Sequence, residues 1–293
     1  MIRPIIFGAA MLISTHTAAS DTLDERDSSR YELGLKTMES VAGDDAAQTV
    51  NSLEKLSPDL ARFVVEFAYG DLIASDALDL KTRELATVAA LAGMGNAYPE
   101  LTFHVNGALN VGASSEEIVE TILLTAVYTG FPTSLNAVST ARGVFAERGI
   151  EVQVASSEQE GSRRDRGMKA LERISGASGE EVVSGLEDIA PALGDFIIDF
   201  SYGDVLSRPG LDDRTRELAT IAMLTAVGTA TPQLKVHVNA ALNVGVTQAE
   251  VVEVIIQMTG YAGFPAAINA ISAAREVLAD RAEESVATET REE

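Results

Sequence analysis

Two imidazoles stand at the same point of two nearly identical stretches, "YPELTFHVNGALNVG" at 98–112 and "TPQLKVHVNAALNVG" at 231–245. They are His104 and His237, and the 293-residue chain holds one other histidine, His16. Leu101 lies three residues before His104 and Ala108 four after it, so on a helix the three share a face. Leu234, His237 and Ala241 repeat the arrangement. Imidazole is the side chain best placed to take or give a proton near neutral pH. One helix earlier come Arg83-Glu84 and Arg216-Glu217. A carboxylate close to a histidine can fix its tautomer or relay its proton, and an arginine can grip a substrate carboxylate in a bidentate fork. The expected chemistry is therefore acid–base, with His104 and Glu84, and His237 and Glu217, as the catalytic pairs. Arg83 and Arg216 are the expected substrate grips. Glu120 and Glu253, on a later apolar helix, and Tyr128 and Tyr261, beside Gly-Phe-Pro turns, complete the candidate substrate-binding set. Each has a plainer alternative: a satisfied core histidine, a structural Arg–Glu pair near a helix start, a packed tyrosine. Two histidines with few neighbouring ligands fall short of the three or four protein ligands usual at a metal, so neither a metal nor an organic cofactor is expected.

The elements that must position these groups are written twice. Shifted by 133 residues, the chain overlays on itself without a gap: "TRELAT" (82–87) on "TRELAT" (215–220), and "FAYGD" (67–71) on "FSYGD" (200–204). "YTGFPTSLNAVSTAR" (128–142) likewise meets "YAGFPAAINAISAAR" (261–275). Apolar residues recur three and four apart, the period of helices. Leu60, Val64, Phe67 and Ala68 make one stripe, and Ile118, Ile122, Thr125 and Ala126 another. Ser114 with Glu117, and Thr247 with Glu250, read as capping boxes. Gly112 and Gly245 suit helix ends, and Pro132 and Pro265 suit the first turn of a last helix. No run alternates as a strand would. The pattern predicts an all-α protein of two tandem units with five or six helices each, spanning 30–149 and 163–281. A linker at 150–162 and an acidic tail at 282–293, expected to fray, complete the division.

Residues 1–20, "MIRPIIFGAAMLISTHTAAS", have the positive start, short apolar run and small-residue end of a secretory signal. The mature chain is thus expected in the periplasm or secreted. No stretch is long and apolar enough to span a membrane. With no cysteine, disulfides, thiolate metal sites and thiol redox chemistry are excluded. A net charge of −22 repels nucleic acid and anionic lipid, which leaves a small molecule as the expected partner.

The segment "RELATVAAL…ELTFHVNGALNVGASSEEIVETILLTAVYTGFPTSLNAV" and its second copy resemble the carboxymuconolactone decarboxylase family over nearly all of both units. The resemblance implies an all-helical, alkylhydroperoxidase D-like fold that assembles into rings, with sites near subunit contacts. The implied reaction removes a carboxylate from a lactone. The sister branch, the alkylhydroperoxidase D-like proteins, carries C-x-x-C at positions that correspond to Ala97 and Glu100, and to Ala230 and Gln233. Thiol peroxidase activity is accordingly not expected. Glu84 and His104 correspond to the glutamate and histidine of that branch's proton relay. The family's rings are built from single-unit chains, so two fused units imply a homotrimer. The leading expectation is an exported enzyme acting on a small lactone or unsaturated carboxylic acid. The rival is a non-catalytic helical oligomer that binds a hydrophobic molecule or scaffolds. Geometry separates them: a histidine lining an open pocket beside a carboxylate favours catalysis, and one sealed by leucines favours the scaffold.

Overall fold

A computed structural model describes the backbone of residues 17–152 and 160–292, with side chains at 29–152 and 160–284. Residues 1–16, most of the expected export signal, lie outside the described residues, as does the centre of the linker. Among the described residues every regular element is helical. The first unit comprises α1 (Thr17–Ala42), α2 (Asp45–Glu54), α3 (Pro58–Phe63), α4 (Leu80–Met94), α5 (Tyr98–Asn110), α6 (Ser115–Tyr128) and α7 (Phe131–Glu147). The second repeats it as α8 (Arg163–Ile174), α9 (Ala177–Ser184), α10 (Pro191–Phe196), α11 (Asp213–Val227), α12 (Thr231–Asn243), α13 (Gln248–Gln257), α14 (Thr259–Ala262) and α15 (Phe264–Glu292). After α3 and α10 the chain continues with the wider π-helical winding, over Val64–Ile73 and Ile197–Leu206.

Local chemistry explains the boundaries. Both capping boxes form, each hydroxyl accepting from the N3 backbone N–H while the glutamate accepts from the cap's own N–H. Asp79 and Asp212 cap α4 and α11 through the N–H of Thr82 and Thr215. Gly112 and Gly245 adopt φ of +94° and +86°, a conformation that side chains oppose. Helix α15 carries its winding through the acidic end to Glu292.

The two units share their interior. Helices α4 and α11 pack along one another, and Ala86 and Ala90 enter one apolar cluster with Leu218, Ile221 and Ala222. The stripe read as Leu60, Val64, Phe67 and Ala68 is not the buried face. Ala61, Val65, Tyr69 and Leu72, one position further round the helix, are buried instead. The π winding from Val64 lies backbone-to-backbone against α1. A Cβ on Gly34 would sit 2.0 Å from the Val65 carbonyl oxygen, and one on Gly167 2.1 Å from that of Ile198. Backbone cannot swing aside, so Gly34→Ala is expected to destabilise the fold by about 1–3 kcal/mol or more. An unchanged thermal midpoint would show that α1 does not pack there.

Ile122 and Leu124 of α6 are wholly buried within the chain, whereas α7 exposes Phe131 (61%) and Leu135 (69%), and α15 their copies Phe264 and Ile268 (both 61%).

Candidate active site

Pro99 sits in the first turn of α5, and five residues later the helix buries His104. Glu84 lies in the middle of α4, with no exposed surface. The two side chains meet, Nδ1 of His104 standing 2.8 Å from Oε2 of Glu84. An ionised carboxylate can only accept, which places the proton on Nδ1 and leaves Nε2 for the cavity beyond. Oε1 of Glu84 is buried without a hydrogen-bond partner. A buried carboxylate half satisfied in this way is costly, and such groups gather where chemistry needs them. The second unit repeats the arrangement. Nδ1 of His237 is 2.7 Å from Oε2 of Glu217, whose Oε1 is also buried and unpartnered.

The tyrosines cross over. The ring of Tyr261, from the second unit, stands edge-to-face on His104 at 5.2 Å between centroids. Tyr128, from the first unit, does the same to His237 at 4.9 Å. Each site is therefore composite, with its His–Glu pair from one unit and a tyrosine from the other. Burial pushes both phenols well above their ordinary range, and the neighbouring carboxylates, Glu217 for Tyr128 and Glu84 for Tyr261, push them further. Both stay protonated and can only donate or accept as hydroxyls. The Tyr128 hydroxyl is buried beside the Thr220 hydroxyl.

Each pair opens on a cavity. That of His104, about 410 Å³, is lined by Val64, Ala68, Tyr69, Phe103 and Tyr261 among others. That of His237, about 220 Å³, is lined by Ile197, Ser201, Tyr202, Val236 and Tyr128 among others. The walls are mostly apolar with a few convergent polar groups, the usual make-up of a small-molecule site. The stripe residues Val64 and Ala68 thus form a pocket wall rather than core.

Tyr69 and Tyr202 were not among the expected site residues. They sit at matching points of the two π windings, a type of distortion that recurs at functional sites. Burial raises the Tyr69 phenol well above its ordinary value, and pushes Tyr202 up to about 12. The Tyr202 hydroxyl lies 2.6 Å from that of Ser175. Their signal was present in the repeated "YGD" of "FAYGD" and "FSYGD".

The expected substrate grips are not brought to the cavities. Arg83 has no exposed surface. Its guanidinium donates to the carbonyls of Leu78 and Ser75, to Gln257 at 3.0 Å and to Glu253 at 2.6 Å. Arg216 donates to the carbonyls of Leu206 and Arg208 and to Asp213, and burial lowers its pKa. Glu253 is held by Arg83, and Glu120 receives Arg208 in a forked pair with contacts from 2.7 Å. Arg83 with Glu253, and Arg208 with Glu120, tie the two units together, whereas Arg216 is held within its own unit. Neighbouring carbonyls and carboxylates take the donors of both arginines, and arginines take Glu120 and Glu253, so none of the four is left for a substrate.

Both units match the model of the carboxymuconolactone decarboxylase family, at residues 58–143 and 191–276. A 4-carboxymuconolactone decarboxylase of Acinetobacter baylyi is 43% identical over 95 residues, 32% of this chain and 70% of its own. A nitrosuccinic acid decarboxylase of Metarhizium robertsii is 32% identical over 119 residues, 40% of this chain and 81% of its own. A solved structure of a putative gamma-carboxymuconolactone decarboxylase subunit from Burkholderia xenovorans superposes with a TM-score of 0.53 at 25% identity. That match covers 87% of this chain and 98% of the other.

Proposed function

The chain belongs to the carboxymuconolactone decarboxylase family, and from that premise we propose that it is a carboxy-lyase with two composite sites. Its substrate is a small carboxylated lactone or unsaturated carboxylic acid. The observation that carries this reading is the pairing of each histidine with a buried carboxylate inside an open, mostly apolar cavity. A sealed core histidine would meet leucines instead.

The residues suggest how carbon dioxide leaves. The apolar wall, Val64 and Phe103 in one cavity and Ile197 and Val236 in the other, strips water from the reacting carboxylate. Its concentrated charge is thereby disfavoured relative to the dispersed charge of the transition state. As the carbon–carbon bond breaks, its electron pair passes to the former carboxyl-bearing carbon and into the adjoining unsaturated group. The protonated phenols can donate to the oxygen where that charge gathers. Nε2 of His104 or His237 takes a proton from solvent, Glu84 or Glu217 stabilises the imidazolium so formed, and that Nε2 proton then moves to carbon, returning the ring to its Nδ1–H form. A positioned acid of this kind contributes roughly a hundred- to ten-thousand-fold. No arginine is needed as a grip, and with no cysteine the site has no thiol peroxidase route. Carbon dioxide release from carboxylated lactones and unsaturated acids by the purified chain tests the reading. Binding of these compounds without release from any would favour the non-catalytic binder.

The same reading includes assembly and export. A homotrimer with pseudo-sixfold organisation is supported by the matched patches around Phe131 and Phe264, which stack on Phe200 and Phe67 at 5.8 Å between centroids. Two equivalent exposed patches per chain allow head-to-tail contacts that close on themselves. Light scattering at micromolar concentration should give the trimer mass, and a monomer mass would contradict it. Export as a periplasmic or secreted protein rests on the pattern of residues 1–20. Native material should begin at Asp21, and an N-terminus at Met1 would remove that part of the reading.

A further inference from the structure

The two cavities are built from equivalent positions, yet their residues have diverged in charge and bulk. Glu100 stands exposed at the mouth of the His104 cavity, and Gln233 takes the equivalent place at the His237 cavity. Within the walls, Ala68 is matched by Ser201, and Gly260 by Val127. A Cβ on Gly260 would lie 3.2 Å from a methyl carbon of Leu72, so the glycine keeps space that valine fills on the other side. Phe103 against Val236 works in the opposite sense. The net result is the larger cavity at His104, about 410 Å³ against about 220 Å³. Behind the smaller cavity, Ser175 orients the Tyr202 hydroxyl, whereas the equivalent residue beside Tyr69 is Ala42.

We propose that the two sites have divided the substrate range. The His237 cavity takes a small substrate with a second carboxylate, and the His104 cavity a bulkier one without it. This rests on both cavities being binding sites, as the reading above has it. The physical basis is charge at the mouth. A substrate's second carboxylate would lie several ångströms from the Glu100 carboxylate at one mouth, and from the neutral, donor-bearing Gln233 amide at the other. At that separation, in a partly solvated mouth, like-charge repulsion changes affinity about three- to tenfold. Ser201 adds a hydroxyl to the His237 cavity and Thr49 one to the His104 cavity, where Val182 is its counterpart, so the charge at the mouth decides the difference.

The histidines supply the assay, because each imidazole reports its own cavity. The full chain at low salt is titrated with benzoate and, separately, with benzene-1,3-dicarboxylate, following the ring proton signals of His104 and His237 by NMR. The signals are assigned from the single His→Gln variants. The expected result is a preference for the dicarboxylate over benzoate that is three- to tenfold greater at His237 than at His104. Glu100→Gln or Gln233→Glu alone should remove most of that difference, and the two substitutions together should reverse its sign. Equal preference at both histidines, or a difference unmoved by both substitutions, would overturn the division. Absence of binding at either cavity would overturn it as well. Because the assay reads equilibrium binding, a chain that divides its ligands but releases no carbon dioxide would fail the catalytic reading alone.

Discussion

Replacing His104 and His237 together by glutamine removes carbon dioxide release while the fold survives. Each imidazole supplies the proton that ends up on carbon, and losing a positioned acid costs roughly a hundred- to ten-thousand-fold. Glutamine keeps an amide N–H, one bond further out than Nδ1, that can still donate to the buried Glu84 or Glu217. Stability should therefore stay within about 2 kcal/mol of the parent, inside the usual span for single substitutions. Activity assays beside thermal unfolding make the check. Parallel loss of fold and turnover would mark the histidines as core residues, and full turnover in the double variant would remove them from the mechanism.

Arg83→Met is the second large effect, and it falls on the other quantity. The guanidinium is fully buried and joins α4 of one unit to Glu253 and Gln257 on α13 of the other. Removing one partner of a buried ion pair costs about 3–5 kcal/mol, since the remaining groups lose their compensation. Here the carboxylate of Glu253 keeps some solvent contact, which places the expected loss near the lower end, about 3 kcal/mol. The fraction that remains folded should show a nearly unchanged KM. A variant of normal stability with a greatly raised KM would instead make Arg83 the carboxylate grip that its sequence position suggested.

How far the site could be read from the chain depends on which groups are local. The capping boxes at Ser114 and Thr247, the glycine helix ends and the histidine faces all rest on contacts within a few residues, and each appears as expected. The His–Glu pairs were also legible, because consecutive helices bring them together, α4 with α5 in one copy and α11 with α12 in the other. The roles of Arg83 and Arg216 were not. A sequence shows a guanidinium but not the carbonyls of Leu78 or Leu206 that await it. Tyr69 and Tyr202 were marked only by the repeated "YGD", and nothing in that triplet tells that its tyrosine lines a cavity. The partnership of the tyrosines was hidden by the duplication itself. Repeats aligned in sequence pair Tyr128 with His104 and Tyr261 with His237, whereas the packing of α4 against α11 exchanges them.

That exchange gives the most direct test. In a His237→Gln chain only the His104 site turns over, so adding Tyr261→Phe should lower its kcat by up to roughly a hundredfold, the scale for removing one donor to developing negative charge. Adding Tyr128→Phe to the same chain should leave kcat nearly unchanged. In a His104→Gln chain the two tyrosine substitutions should trade places. Composite sites predict this crossed pattern, measured as carbon dioxide release from one common substrate. An uncrossed pattern, with Tyr128→Phe harming the His104 site and Tyr261→Phe sparing it, would contradict them.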